Sequence, residues 1–420
     1  MAKKTVIICI PNAFKFGWLG STTRLFSITN AFLNLGYEVV VISQAYESET
    51  IQKEIETVYP ARIFRTDATV NYPKLIGKSL FIRKMVRKLW RLRGQSFSLR
   101  KISLGWSSNI SLDNVINNDF FHEHDVKLIW GISGGMLDGP NLASRLANKK
   151  KVPWVFELHD PPFGADLLDE DPYIKVKYGD LLRKANIIIP TSDTYSRVIS
   201  NKYSIACSKI FPIFLTYDDQ SVTQEYCNCH SENFWCIGYA GSLNGKRTLR
   251  TFIEGLACAI EREPAIAKKV KLKLAGTGEG FDEIINLAVK YNLSNIIEFK
   301  GLISGGEADE LLTQCNALLI VQPSNSNLEI PGKLFKMLSL KKPIIALMDE
   351  NSETSNIIDK SNLGYITSID NVEKIKDIVI ELYNKHRNHE EVAANVDYIE
   401  SFSQSNLVRK VALVCSKIVD

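Results

Sequence analysis

Three short stretches of this sequence hold residues whose types and spacing suit chemistry on an anion or a polyol. The first is "IPGKLFKMLSLKKPIIALM", residues 330–348, a loop, a helix and a buried strand in quick succession. Pro331 fits the first turn of a helix, because its missing N–H would go unpaired there anyway. Gly332 leaves the adjacent amides uncovered, and Lys333 adds a full charge where unpaired N–H groups already attract anions. The second is "AGSLNGKR", where Gly241 and Gly245 make a flexible turn and Lys246 and Arg247 stand at the head of the next helix. Cations there oppose the helix macrodipole. They are either two solvated surface charges or the partners of a bound diphosphate. The third is "FELHDPPFG", in which Glu157, His159 and Asp160 end a strand ahead of two prolines. A His-Asp pair held by a rigid turn suits orienting a hydroxyl or handling a proton. An Asp that caps the turn beside an exposed His would give the same pattern.

Weaker signals flank these. "AGTGEG" says only that backbone near Gly276 and Gly278 can approach a ligand closely. "GWLGST", with Gly17 and Gly20, joins a first strand to a first helix and is either a plain turn or an anion-facing loop. It is not a dinucleotide fingerprint: the G-x-G-x-x-G spacing is missing, and the second strand ends at Gln44 where a ribose-binding acid belongs.

The elements that must position these residues are legible as two runs. "TVIICI" and "YEVVVIS" are continuous and β-branched, as strands covered on both faces are. Between them Leu25, Ile28, Phe32 and Leu35 form one helical stripe, ended by Gly36. "VKLIWGIS", "VPWVFELHD" and "ANIIIPTS" continue the series. A polar, non-periodic stretch from about residue 216 to 233 interrupts it. The pattern then restarts with "WCIGYAG", a helix from about 249 to 260, "VKLKLAG", "NIIEFKG", "ALLIVQP" and "PIIALM". The expected fold class is therefore α/β, two doubly wound Rossmann-like domains, with ligands beyond the carboxyl ends of the strands and those ends facing across a cleft. The expected division is 1–215, 216–400 and a last segment 401–420.

Residues 72–106 hold ten Lys or Arg and no acid. Within 74–101, Ile82, Met85, Val86, Leu89 and Leu92 keep helical spacing, with Arg83, Lys84, Arg87, Lys88 and Arg91 largely opposite and Trp90 among them. Such a basic amphipathic helix binds an anionic membrane surface; RNA is the alternative partner, and a solvated face the third reading. The net charge of the whole 420-residue chain is only +4, which does not fit a nucleic-acid-type polycation. Eight irregularly placed cysteines in a chain with 45% hydrophobic content suggest reduced thiols in a cytoplasmic setting. Cys227, Cys229, His230 and Cys236 cluster, but one residue between the first pair is too short for the usual zinc spacing, so no metal is expected. No apolar run approaches the roughly 20 residues needed to span a bilayer, and "TVIICI" is too short for a signal core.

In combination, "GYAGSLNGKRTLRTFIEGL", "KLKLAGTGEGFDEIINLAVKYNLSNIIEFKGLIS" and "IPGKLFKMLSLKKPIIAL" resemble the retaining glycosyltransferases of the GT-B fold, the group 1 or family 4-like enzymes that build bacterial surface polysaccharides. The first domain resembles them more loosely, through "FELHD", the Gly20 loop and "IIIPTSDTYS", and its His159-Asp160-Pro161-Pro162 departs from the Arg-Asp-Pro-Trp of one subgroup. The resemblance implies a nucleotide-sugar donor in the second domain and a lipid-linked or glycan acceptor in the first. It implies that Gly20, Lys246, Arg247, Gly332 and Lys333 hold the diphosphate, and that Gly276, Gly278, Leu302 and Glu329 face the nucleoside. His159 would contact the transferred sugar, and Asp160 would orient it or the loop. No cofactor or metal is implied, because cations and helix dipoles neutralise the leaving group. A last helix, about 405–419, is expected to cross back to the first domain.

The sequence also departs from the family pattern. A ribose-binding carboxylate expected in the helix after Lys333 falls on Lys336, and its partner acid falls on Leu328, with Glu329 adjacent. An ammonium only donates, and losing such a charge-assisted bond costs about 1.5–3 kcal/mol. Either Glu329, Glu307 or Glu350 substitutes, or donor binding differs, or activity is lost. The expected function is glycosyl transfer from a nucleotide-diphosphate-sugar at the inner face of the membrane. A 2-epimerase of the same fold and a degenerate, non-catalytic partner subunit are the alternatives.

Overall fold

The computed structural model describes residues 4–11, 13–14, 20–44, 57–66, 104–116, 124–134, 136–160, 172–219, 234–245 and 247–419. The chain forms two compact units, one of residues 1–215 with 404–420 and one of residues 216–403.

In the first unit six parallel strands, β1 (Lys4–Cys9), β2 (Glu38–Gln44), β3 (Arg62–Thr66), β4 (Asp125–Gly134), β5 (Trp154–Asp160) and β6 (Ile187–Pro190), form one sheet in the order 3-2-1-4-5-6. Alternation along the strands sorts their side chains to two cores. Ile7, Cys9, Val40 and Ile42 face a cluster with Leu142, Leu146 and Ile174, while Val6, Ile8, Val39 and Val41 face Leu25, Ile28 and Phe32. The helices that cover these faces include α1 (Gly20–Asn34), α2 (Asp138–Lys150), α3 (Pro172–Lys184) and α4 (Asp193–Tyr203). Helix α1 ends where the chain needs a positive φ, which Gly36 supplies at +81°. In α4 the Ser192 hydroxyl accepts from the Tyr195 amide, an ordinary N-cap.

The second unit repeats the plan. Strands β7 (Trp235–Ala240), β8 (Val270–Ala275), β9 (Ile297–Gly301), β10 (Ala317–Val321), β11 (Ile344–Leu347) and β12 (Gly364–Thr367) are ordered 12-11-10-7-8-9, so the two sheets share one topology. Its helices include α5 (Arg250–Arg262), α6 (Gly280–Lys290), α7 (Gly305–Thr313), α8 (Lys333–Ser339), α9 (Glu353–Lys360) and α10 (Val372–Arg387). In each sheet the strand order reverses direction between the first and fourth strands of the unit, the position at which such folds hold ligands. The final helix, α11 (Gln404–Ile418), belongs to the first unit, where Leu407, Val411, Val414 and Cys415 join the core on which α1 packs.

The basic segment 74–101, with Arg83, Lys84, Arg87, Lys88, Trp90 and Arg91, lies outside the described residues, as do Lys246, Cys227, Cys229 and His230. Cys236 is buried in β7, and no group of three or more metal-ligating side chains occurs among the described residues. None of the described helices is long and apolar enough to cross a membrane.

Candidate functional site

In the second unit the loops leaving β7 and β8 lie almost in contact. The Gly241 amide donates to the Ala275 carbonyl at 2.9 Å and the Leu243 amide to the Thr277 carbonyl at 2.9 Å. Such proximity requires glycine opposite: a Cβ at Gly276 would stand 1.9 Å from the Gly241 carbonyl oxygen, and one at Gly278 would stand 2.2 Å from that of Leu243. Both glycines hold positive φ, +135° and +128°. The two predicted glycines thus shape a tight backbone floor at the ends of the two strands.

Lys333 reaches this floor from α8. The helix begins at Lys333, two residues later than a proline at its first position would place it. Pro331 instead lends its carbonyl to the Leu334 amide at 2.9 Å, and Gly332 is the N-cap with no side chain to offer. The Lys333 ammonium donates to the Ala240 carbonyl at 3.1 Å and lies 4.3 Å from the centre of the Tyr239 ring. Tyr239 is itself fixed by its hydroxyl, which donates to the Ser242 carbonyl at 3.1 Å. Arg247 comes close enough for its charge to act on both Lys333 and Tyr239. Its Nε is buried without a hydrogen-bond partner.

Lys333 therefore does not carry the full charge expected from sequence. Burial and, secondarily, the Arg247 guanidinium push its amine down to about 7. Two cations have been brought together without a carboxylate paired to either among the described residues. That arrangement is costly in isolation and becomes favourable when an anion arrives.

The remaining nucleoside candidates are placed as follows. Leu302 is 79% exposed just beyond β9, so only its backbone suits close approach. Glu329 sits in the loop after β10, its amide donating to Ser326 and its carbonyl accepting from the buried Gln322 side chain at 2.6 Å. Lys336 has its ammonium 3.8 Å from Asp309 of α7. Glu307 accepts from the Ser304 amide at 2.8 Å through one carboxylate oxygen, in a capping box that opens α7. Glu350 is exposed beyond β11.

The first unit holds a second polar cluster at the end of β5. Strand alternation sends Phe156 and Leu158 to one face of the sheet and Glu157 to the other. Glu157 is wholly buried, where Arg24 Nε of α1 meets its Oε1 at 2.7 Å and Trp130 Nε1 of β4 donates to its Oε2. His159 Nε2 lies 2.6 Å from the same Oε1. Burial drives the Glu157 carboxyl up, but Arg24 and His159 together outweigh it and leave the group lowered to about 2. Arg24 also donates to the Phe214 carbonyl at 3.1 Å, while its Nη2 has no partner. Asp160 is the last residue of β5, and Gly20 is the first of α1 in this unit. Gly20 thus belongs to a different unit from Arg247, Gly332 and Lys333, with which it was grouped.

Sequence reasoning missed Arg24, Trp130, Tyr239 and Asp309. Arg24 left a trace, because it shares helical spacing with the core residues Ile28 and Ala31 and so must point inward toward a partner. Tyr239 falls in phase with the inward Trp235 and Ile237 of β7. Trp130 and Asp309 left none.

Residues 230–397 match the family of glycosyl transferases group 1. That domain contains Arg247, Lys333, Gly276 and Gly278, and the match supports a transferase enzyme. Whole-chain structural similarity agrees at the level of fold. A glycosyltransferase from Rickettsia africae ESF-5 superposes with a TM-score of 0.66 at 15% identity, covering 98% of this chain and 97% of that one. Anabaena Alr3699/HepE in complex with UDP gives 0.65 at 14% identity over 99% and 100%. The apo lipopolysaccharide outer core galactosyltransferase WaaB gives 0.59 at 13% over 100% of each. These are GT-B neighbours, and two parallel six-stranded sheets flanked by helices are what the chain shares with them. A sequence search of curated proteins gave no match.

Proposed function

We propose that the protein transfers a sugar from a nucleoside-diphosphate-sugar to a lipid-linked or glycan acceptor, with retention at the anomeric carbon. The observation that carries this reading is the convergence of Lys333 and unpartnered Arg247 on the glycine-floored ends of β7 and β8. A diphosphate supplies the missing negative charge. As the bond between the sugar C1 and the diphosphate oxygen breaks, its electron pair stays with the diphosphate, the acceptor hydroxyl oxygen bonds to C1, and the hydroxyl proton passes to the departing diphosphate. Cations fixed beforehand stabilise that departing charge without reorganising. In this assignment Lys246 and Gly332 complete the diphosphate contacts, and Gly276, Gly278, Leu302 and Glu329 surround the nucleoside. His159 and Asp160 address the transferred sugar.

The likeness to the HepE protein, whose structures include complexes with UDP and with UDP-glucose, makes UDP-glucose the first donor to try. WaaB, by its description, acts on lipopolysaccharide outer core, which fits a surface-glycan acceptor. The basic segment 74–101 would hold such an enzyme on the inner face of the membrane.

Calorimetric titration of UDP-sugars and GDP-sugars into wild type and into the Arg247→Ala/Lys333→Ala double variant tests the reading. Loss of two charge-assisted contacts weakens binding by at least about a hundred-fold. Equal affinity in the two proteins would overturn the assignment.

A further inference from the structure

Around His159 the structure builds a support that the donor site does not need. Glu157, two residues earlier on the same face of β5, is fully buried and held on both oxygens: Arg24 Nε at 2.7 Å on Oε1, and the Trp130 indole N–H on Oε2. The third group on this carboxylate is His159 Nε2, at 2.6 Å from Oε1. From the other side, the Thr191 hydroxyl donates to the His159 carbonyl at 3.0 Å and ties the strand end to β6. Arg24 is pinned in turn by the Phe214 carbonyl, and Lys410 of α11 feels its charge, being lowered by burial and then by Arg24 and raised by Asp193.

A carboxylate has only lone pairs to offer, so the atom facing it must carry the proton. The imidazole is thereby held with Nε2–H toward Glu157, and Nδ1 is left as the nitrogen free to meet a ligand. Because Arg24 neutralises Glu157, the cluster presents little net charge and suits a neutral hydroxyl better than an anion. Among the described residues no side chain or backbone group hydrogen-bonds His159 Nδ1.

We propose that Arg24 and Glu157 are positioning residues which fix His159 in the Nε2–H form, so that its Nδ1 accepts a hydrogen bond from a sugar hydroxyl. The identity of that hydroxyl rests on the glycosyl-transfer reading; the fixed tautomer does not.

The experiment is ¹⁵N NMR of histidine-labelled full-length protein above the pH at which imidazole protonates, with the His159 signals identified by their loss in His159→Asn. Wild type should show a proton on His159 Nε2, slow to exchange, and a bare Nδ1. Replacing only one member of the buried pair leaves a stranded charge, so the variant is Arg24→Met/Glu157→Met, which removes both. In it the slow Nε2–H signal should disappear, and Nδ1 should become partly protonated. Turnover with a sugar donor should fall about ten- to a hundred-fold while KM for the donor holds, as for loss of a charge-assisted bond acting through His159. A wild-type proton on Nδ1 overturns the proposal, as does an unchanged Nε2–H signal in the double variant. If no glycosyl transfer is detectable yet the signals behave as stated, the positioning role stands and the glycosyl-transfer reading falls.

Discussion

Arg24 in the first unit meets Glu157 at 2.7 Å, and both are buried and compensated. Lys333 in the second meets the ring of Tyr239, a backbone carbonyl and the field of a second cation. Both sites lie at the ends of parallel strands in sheets of the same topology. The difference lies in who supplies the counter-charge. In the first unit the chain supplies it, and the product is a rigid, nearly neutral platform for His159. In the second unit it is left to the ligand, so folding bears the burial of the Lys333 amine beside Arg247, and an arriving anion relieves part of that cost.

Substitutions that separate these regimes should show the contrast directly, beginning with the largest effect. Arg24→Met strands the Glu157 carboxylate in the core and should cost about 3–5 kcal/mol in urea denaturation, most of it recovered in Arg24→Met/Glu157→Met. A small loss in the single variant would mean that the pair is not compensated as described. Gly276→Ala comes next. A methyl group there must displace the Gly241 backbone at positive φ, and a loss of about 1–3 kcal/mol from strain alone is expected together with weaker donor binding. Unaltered stability would show that the two loops are not fixed against each other.

Lys333→Met should move stability the other way. Relieving an uncompensated, buried amine is expected to raise the midpoint by the equivalent of about 0.5–2 kcal/mol while abolishing UDP-sugar binding. A destabilised variant that still binds donor would erase the distinction between the units. The smallest effect is a pH dependence. Lys333 is lowered to about 7, so wild-type protein must take up a proton to bind a diphosphate above that pH. Affinity for UDP-glucose should then decline by up to about ten-fold per pH unit above 7, and Lys333→Arg should flatten the curve. For Glu157 the sign is opposite in sense: its folded value is lowered from 4.5 to about 2. Its contribution to stability is present above 4.5 and is lost as pH falls toward 2.

Much of this was open to reading along the chain, for identifiable reasons. Continuous β-branched runs such as "TVIICI" and the stripe Leu25, Ile28, Phe32 state their burial by composition and period. Glycines at strand ends and a lysine at a helix start announce a place where backbone and charge approach a ligand. Their charge state was less legible. Lys333 looks like a fully charged helix start, yet the fold buries it beside Arg247 and lowers its amine to about 7. Lys336 stands where a carboxylate was expected, and only the folded chain brings Asp309 within 3.8 Å of it.

What the sequence determined by itself was the alternation of strands and helices, the two-unit plan and the residue types at the strand ends, because periodicity and local backbone preference act over a few residues. What only the tertiary structure decided was which charges are compensated. Arg24 and Glu157 are 133 positions apart, and Lys333 and Ala240 are 93 positions apart. Whether a buried charge finds its partner depends on packing between distant elements, and no local pattern encodes it.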